Sequence, residues 1–161
     1  MRVYTEGKFD KTKGTCIALG SFDALHIAHM KLINSAIEYA KLNNLESGVF
    51  QFLQRPAFVL SPEKEHKIIY TNEQKIRILK KAGVDFAYFE KFDESFMKLS
   101  CEEFAKMLKE KFCAECLVVG FHYRFGHKGA GNCDNLRELG KKYGFKVIVI
   151  DAVVKDNVLC L

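Results

Sequence analysis

Apolar residues along the chain fall into short runs separated by stretches with helical spacing. Cys16-Ile17-Ala18-Leu19-Gly20, Gly48-Val49-Phe50-Gln51-Phe52, Val84 to Phe89, Leu117-Val118-Val119-Gly120 and Lys146-Val147-Ile148-Val149-Ile150 have the length and the β-branched and aromatic content of buried strands. Between them, Leu32, Ile33, Ala36, Ile37 and Ala40 mark one face of a helix, and Phe104, Met107, Leu108 and Phe112 mark another at i, i+3, i+4, i+8. Thr71-Asn72-Glu73-Gln74 and Ser100-Cys101-Glu102-Glu103 have the form of capping boxes, so each predicts a helix start. Gly83 and Gly144 stand where two helices should stop, the second running from Asp134 to Tyr143. Both prolines, Pro56 and Pro62, fall in a loop that follows the second strand and runs to about Tyr70.

Strand and helix alternate. Crossovers of this length force parallel pairing with helices on both faces of the sheet. The predicted fold is therefore α/β, a doubly wound, five-stranded, mainly parallel sheet, with residues 1–161 forming one domain. Ligands of such sheets sit at the carboxyl ends of the strands, which directs attention to the loops after Leu19, Phe52 and Val119.

Composition narrows the partners. The 161 residues are 48% hydrophobic and 28% charged, in the globular range. No stretch approaches the ~18 apolar residues of a spanning helix, so the expectation is a cytoplasmic protein without membrane contact, whose six cysteines are reduced thiols. A formal net charge of +5 suits an anionic partner. The lysines are dispersed over helical segments and form no block interleaved with aromatics, so a nucleotide is the expected anion and nucleic acid is not. Cys113-Ala114-Glu115-Cys116 has no second pair at zinc-finger spacing and is read as two buried thiols.

The first strand-to-helix loop reads Gly20-Ser21-Phe22-Asp23-Ala24-Leu25-His26-Ile27-Ala28-His29. A helix start offers free backbone N–H groups and the positive end of its dipole to a phosphate. His26 and His29, three residues apart, share a helical face from which both can donate to one anion. On spacing alone, two capping or surface histidines fit as well. A zinc helix would need i, i+4 spacing and an adjacent glutamate, which are absent, so no metal ligand is assigned.

This loop resembles the G-x-F-D-x-x-H-x-G-H motif of bacterial-type FAD synthetases, members of the HxGH nucleotidyltransferase superfamily. Val119-Gly120-Phe121-His122-Tyr123-Arg124-Phe125-Gly126, with Ala130-Gly131 trailing, is similar to the family's V-G-x-[DN]-F-x-F-G segment. Phe92-Asp93-Glu94-Ser95-Phe96 and Leu99-Ser100-Cys101-Glu102-Glu103-Phe104 resemble two further stretches, so the likeness covers nearly the whole chain. Ala28 stands where the first motif has glycine and His122 where the second has Asn or Asp, and Ala24 replaces the glycine that usually follows the family's F-D.

The resemblance implies an FMN adenylyltransferase that makes FAD and pyrophosphate from FMN and ATP, with Mg²⁺ neutralising the polyphosphate. It implies that His26 and His29 contact the reacting phosphates and that Gly20, Ser21, Phe22, Asp23 and Ala28 hold the nucleotide. It sets Phe52, Pro56, His122, Tyr123, Arg124 and Phe125 facing the ligands. A nucleotidyltransferase with another acceptor and a non-catalytic nucleotide- or flavin-binding module are the alternatives. The family's S-S-T-x-x-R motif and its riboflavin kinase domain have no counterpart before Leu161, so the expectation is an adenylyltransferase domain truncated ahead of that motif.

Overall fold

A computed structural model describes residues 1–10, 13–22, 27–54, 60–61, 70–151, 153–155 and 158–160. In chain order the elements are β1 (Arg2–Thr5), β2 (Thr15–Leu19), α1 (Ile27–Leu42), β3 (Glu46–Phe52), α2 (Asn72–Ala82) and β4 (Phe86–Glu90). There follow α3 (Glu94–Met97), α4 (Cys101–Phe112), β5 (Ala114–Gly120), α5 (Cys133–Tyr143) and β6 (Lys146–Ile150). A small antiparallel pair, β7 (Val153–Lys155) and β8 (Val158–Cys160), comes last.

The main sheet has six strands in the order β1-β4-β3-β2-β5-β6, and every pairing is parallel. This corrects the expected five-stranded, mainly parallel sheet by one strand. The extra strand, β1, is an edge strand with an alternating half-buried and exposed pattern and no apolar run. Its backbone pairs with β4 from Arg2↔Phe86 to Thr5↔Phe89, a partnership its own side chains do not advertise.

The period-2 alternation of the strands divides the core into two layers. On one face, Ile17, Leu19, Phe50, Phe86, Tyr88, Leu117 and Val119 pack against Phe104, Leu108 and Phe112 of α4 and Leu136 of α5. On the other, Cys16, Ala18, Val49, Ala87, Phe89 and Val118 meet Leu32, Ile33, Ala36 and Ile37 of α1 and Leu79 of α2. Helices therefore cover both faces.

Helix boundaries follow local chemistry. Thr71 Oγ1 accepts from the Gln74 backbone N–H at 3.2 Å, and the Gln74 side chain accepts from the Thr71 N–H at 2.8 Å. Ser100 and Glu103 repeat the arrangement at 3.0 and 3.2 Å. A third box, Asn132 with Asn135, starts α5 and uses two asparagines that the S/T-x-x-E/Q pattern does not cover. Gly83 and Gly144 end α2 and α5 in the left-handed region, at φ 98° and 85°.

Of the C-x-x-C pair, only Cys116 is fully buried. Cys113 is half-buried, because it is the left-handed C-cap of α4 at φ 51°. Cys116 instead lies beside Cys16 across β2 and β5, and the hydrogen bond between them, together with burial, pushes the Cys16 thiol far above its ordinary range. The Cys16 thiol is thereby kept protonated inside the core.

The strand order sets the position of the site. From β2 the chain proceeds through α1 to β3 and then β4 on one side. It then crosses back through α4 to place β5 on the other side of β2. The switch in direction at β2 and β5 opens a crevice at their carboxyl ends.

Candidate active site

A cavity of about 660 Å³ occupies that crevice. Its floor is Leu19, Gly20, Ser21 and Phe22 at the end of β2, and His29 and Leu32 of α1 stand over it. Phe50 and Phe52 at the end of β3 form one wall with Phe92, Phe96, Met97, Leu99 and Phe104. The loop after β5 forms the facing wall, from Gly120 and His122 to Gly129.

The β2 loop is shaped by Phe22, which is fully buried and sits in the left-handed region at φ 49°. That backbone conformation is rare for a bulky residue and is held here by packing. The Phe22 ring covers Gly20, where a Cβ would come within 3.2 Å of it. It also meets the His29 ring edge-on with centroids 5.5 Å apart. His29, the third residue of α1, is thus positioned half-buried at the cavity. The first turn of α1 carries no acidic side chain, so its N-terminal dipole is not neutralised from within.

The aromatic wall arises from the end of β3 and the connection beyond β4. Phe52 lies edge-on to Phe92 at 5.0 Å and to Phe96 at 5.1 Å, and Phe50 stacks on Tyr88 at 5.7 Å. Asp93 holds this wall in place by capping α3: its Oδ1 accepts from the Phe96 N–H at 2.8 Å. Burial, followed by the neighbouring Glu90, pushes the Tyr88 phenol up, so it stays neutral as it donates to the Gly7 carbonyl at 3.1 Å.

The β5 loop is a built structure. Phe125 and Gly131 exchange both backbone hydrogen bonds, at 3.2 and 2.8 Å, and close the loop into a narrow bridge. Phe125 turns inward, 5% exposed, with its ring 5.9 Å from Phe104, and Tyr123 stacks on it at 5.9 Å and 10°. Cys101 packs under the bridge, and a Cβ on Gly126 would lie 2.5 Å from its sulfur. Gly126 also has φ 82°, so both space and conformation require glycine there. Cys133 donates to the Gly120 and Phe121 carbonyls at 3.3 and 3.5 Å, tying α5 to the end of β5. Alternation then leaves His122 and Arg124 exposed beside the buried Phe125.

The structure thus brings Gly20, Ser21, Phe22, His29, Phe52, His122, Tyr123, Arg124 and Phe125 around one cavity. Ala28 is half-buried on α1 but is not part of the cavity wall. Asp23, His26 and Pro56 lie outside the described residues. The sequence reading gave no site role to Phe92, Phe96, Phe104, His127 or Lys128, all of which line the cavity. The F-D-x-x-F spacing was the available signal for Phe92 and Phe96. Phe104 has the same helical periodicity as an ordinary core residue and offers none.

Among the described lining residues there is no carboxylate, and no group of three His, Cys, Asp or Glu among the described residues is arranged to hold a metal. Mg²⁺ takes oxygen ligands in near-octahedral geometry. The described lining residues alone do not supply such a donor set.

A model of the FAD synthetase family matches residues 8–159. A bifunctional riboflavin kinase/FMN adenylyltransferase of Buchnera aphidicola subsp. Schizaphis graminum is 33% identical over 144 residues, 89% of this chain and 46% of that protein. The protein of the same description from Bacillus subtilis is 34% identical over 116 residues, covering 71% of this chain and 37% of its own length. The chain therefore spans less than half the length of the curated relatives it matches. Among solved structures, one described as a macrolide-efflux protein from Streptococcus pneumoniae superposes with TM-score 0.84 at 22% identity, covering 99% of this chain and 53% of that one. At that identity the likeness establishes the fold.

Proposed function

The chain belongs to the FAD synthetase family, and from that premise we propose that it is an FMN adenylyltransferase. An FMN phosphate oxygen attacks the α-phosphorus of ATP. The bond from that phosphorus to the bridging β-oxygen breaks, and pyrophosphate leaves with the electron pair. The products are FAD and pyrophosphate.

The observation that carries the reading is the composition of the cavity: flat aromatic walls enclose a site with His29 and a helix start at one end. Phe52, Phe92 and Phe96 offer ring faces and edges to a planar heterocycle, which aromatic pairs favour by ~0.5–1.5 kcal/mol beyond burial. The FMN phosphate is already an anion at neutral pH and needs no general base. Catalysis therefore consists of holding two phosphates in line and stabilising charge on the transferring group. His29, with His26 by the motif, is the donor to that group. Gly20, Ser21 and Phe22 shape the floor on which the nucleotide lies, and Asp23 and Ala28 complete the loop by resemblance. Tyr123, Arg124 and Phe125 close the opposite side, with His122 at its rim and Pro56 assigned by resemblance alone. Because the described lining residues do not by themselves supply Mg²⁺ ligands, no step is assigned to a resident ion, and the metal enters with ATP as its counter-ion.

Incubating the chain with FMN and Mg·ATP and separating products by chromatography tests this directly. FAD and pyrophosphate should appear in equal amounts. Binding of both substrates without product would establish a non-catalytic module instead.

A further inference from the structure

The polar residues of the cavity are distributed unevenly. Apart from Ser21 on the floor and His29 on α1, the polar side chains of the wall belong to the loop after β5: His122, Tyr123, Arg124, His127 and Lys128. Arg124 and Lys128 are exposed, and among the described residues neither has an ion-pair partner. The loop presenting them is fixed by the Phe125–Gly131 bridge and by the turn hydrogen bonds Gly129 N–H to Gly126 O at 3.0 Å and Ala130 N–H to His127 O at 3.2 Å. Lys128 itself is held in the left-handed region at φ 56°. Two unpaired cations on a braced loop, over a cavity without described carboxylates, form a site for a multiply charged anion.

Strand order determines which anion. In-line transfer puts the entering and leaving oxygens on opposite sides of the phosphorus. The aromatic wall rises from the ends of β3 and β4, on one side of β2, while the cationic loop follows β5, on the other. His29 stands between them, on the helix that follows β2. A planar acceptor on the aromatic wall therefore directs the leaving group toward Arg124 and Lys128. We propose that Arg124 and Lys128 form a clamp for the leaving pyrophosphate, neutralising the charge that develops on it. This assignment rests on the adenylyl-transfer reading for its direction, but the anion site itself does not.

The test is calorimetric titration of the whole chain with inorganic pyrophosphate, in parallel with FMN binding read by flavin fluorescence. Arg124→Gln and Lys128→Gln should each weaken pyrophosphate binding by roughly 10- to 100-fold, the value of a charge-assisted hydrogen bond. FMN binding should stay within about twofold of the parent, since flavin contacts lie on the other wall. Lys128→Arg keeps the charge and should restore pyrophosphate binding, which separates loss of the cation from damage to the loop. Unchanged pyrophosphate affinity in the Arg124→Gln/Lys128→Gln double variant overturns the clamp, as does an equal loss of FMN binding, which would place the acceptor phosphate there. The parent's FAD synthesis is scored separately. Charge-dependent pyrophosphate binding without FAD formation supports the anion site and rejects the adenylyl-transfer reading, whereas FAD formation with pyrophosphate affinity unaffected by the variants does the reverse.

Discussion

His29 is the described side chain on which the proposed chemistry most depends, and its position is secured indirectly. Phe22, buried at φ 49°, supports the imidazole from beneath while covering Gly20. Replacing His29 by Ala removes a donor to the transferring phosphate without opening the core, since the residue is only half-buried. FAD formation should fall roughly 100- to 1,000-fold with the melting temperature nearly unchanged. A large fall in melting temperature with normal turnover would reject the role. Gly48 is the opposite case, a residue whose importance is purely steric. It pairs with Phe86 across β3 and β4, and a Cβ there would lie 2.0 Å from the Phe86 ring. Gly48→Ala should destabilise by about 1–3 kcal/mol, read as a lower urea midpoint, because a ring in a packed core cannot yield that distance. The sequence shows a glycine opening an apolar run but gives no hint of the ring facing it. Pairing partners across a parallel sheet are distant in the chain, and no local pattern encodes them.

At the level of elements, the sequence was most informative where each end had its own chemistry. The boxes at Thr71 and Ser100 fix the starts of α2 and α4 as the pattern predicts, because both reciprocal hydrogen bonds are made within four residues. Ser100→Ala should therefore cost about 1 kcal/mol in chemical denaturation. Elements whose stability comes from elsewhere were not legible. The edge strand β1 buries no side chain fully, and α3 is a single turn set by the Asp93 cap. The α4–α5 contact is a further case. Glu102 receives the Lys142 ammonium and, at 2.6 Å, the Tyr143 hydroxyl, joining two helices forty residues apart in sequence. The hydrogen bonds from Lys142 and Tyr143 hold the Glu102 carboxyl below its usual range, while the bond to Glu102 raises both the Lys142 and the Tyr143 value. A lowered carboxyl stabilises the fold above its unfolded pKa and loses that effect as pH falls through the folded value. The raised lysine and phenol stabilise below their unfolded values and lose the effect as pH rises. Stability profiles of the parent and Glu102→Gln should therefore converge at both acid and alkaline extremes and differ most near neutrality. A constant offset across pH would show that the tether acts by packing and not by charge.

Across the whole molecule, the doubly wound arrangement was readable from alternation alone, and so were the strand ends at which the cavity lies. What could not be read was which of many aromatic residues turn toward that cavity. Phe50 and Phe104 have core periodicity and line it, whereas Phe86 and Phe112 have the same periodicity and do not. The difference is depth along the sheet: Phe86 opens β4, while Phe50 lies near the carboxyl end of β3, where the layer runs out. The cavity is therefore continuous with the core layer that also packs α4 and α5, and a ligand seated there touches residues from β2, β3, α1, α4 and the β5 loop together. Such a ligand should stabilise the molecule as one cooperative unit and not merely order a loop. At about 100 times its dissociation constant, FMN should add about 2.7 kcal/mol to the unfolding free energy, provided it binds only the folded chain. Phe52→Ala, which removes the ring that meets both Phe92 and Phe96, should shrink that increment by weakening the flavin at fixed concentration. Chemical denaturation with and without FMN, followed by circular dichroism so that flavin emission does not interfere, measures both quantities. An FMN-induced shift that Phe52→Ala leaves intact would move the flavin away from the aromatic wall, and with it the direction assigned to the leaving group.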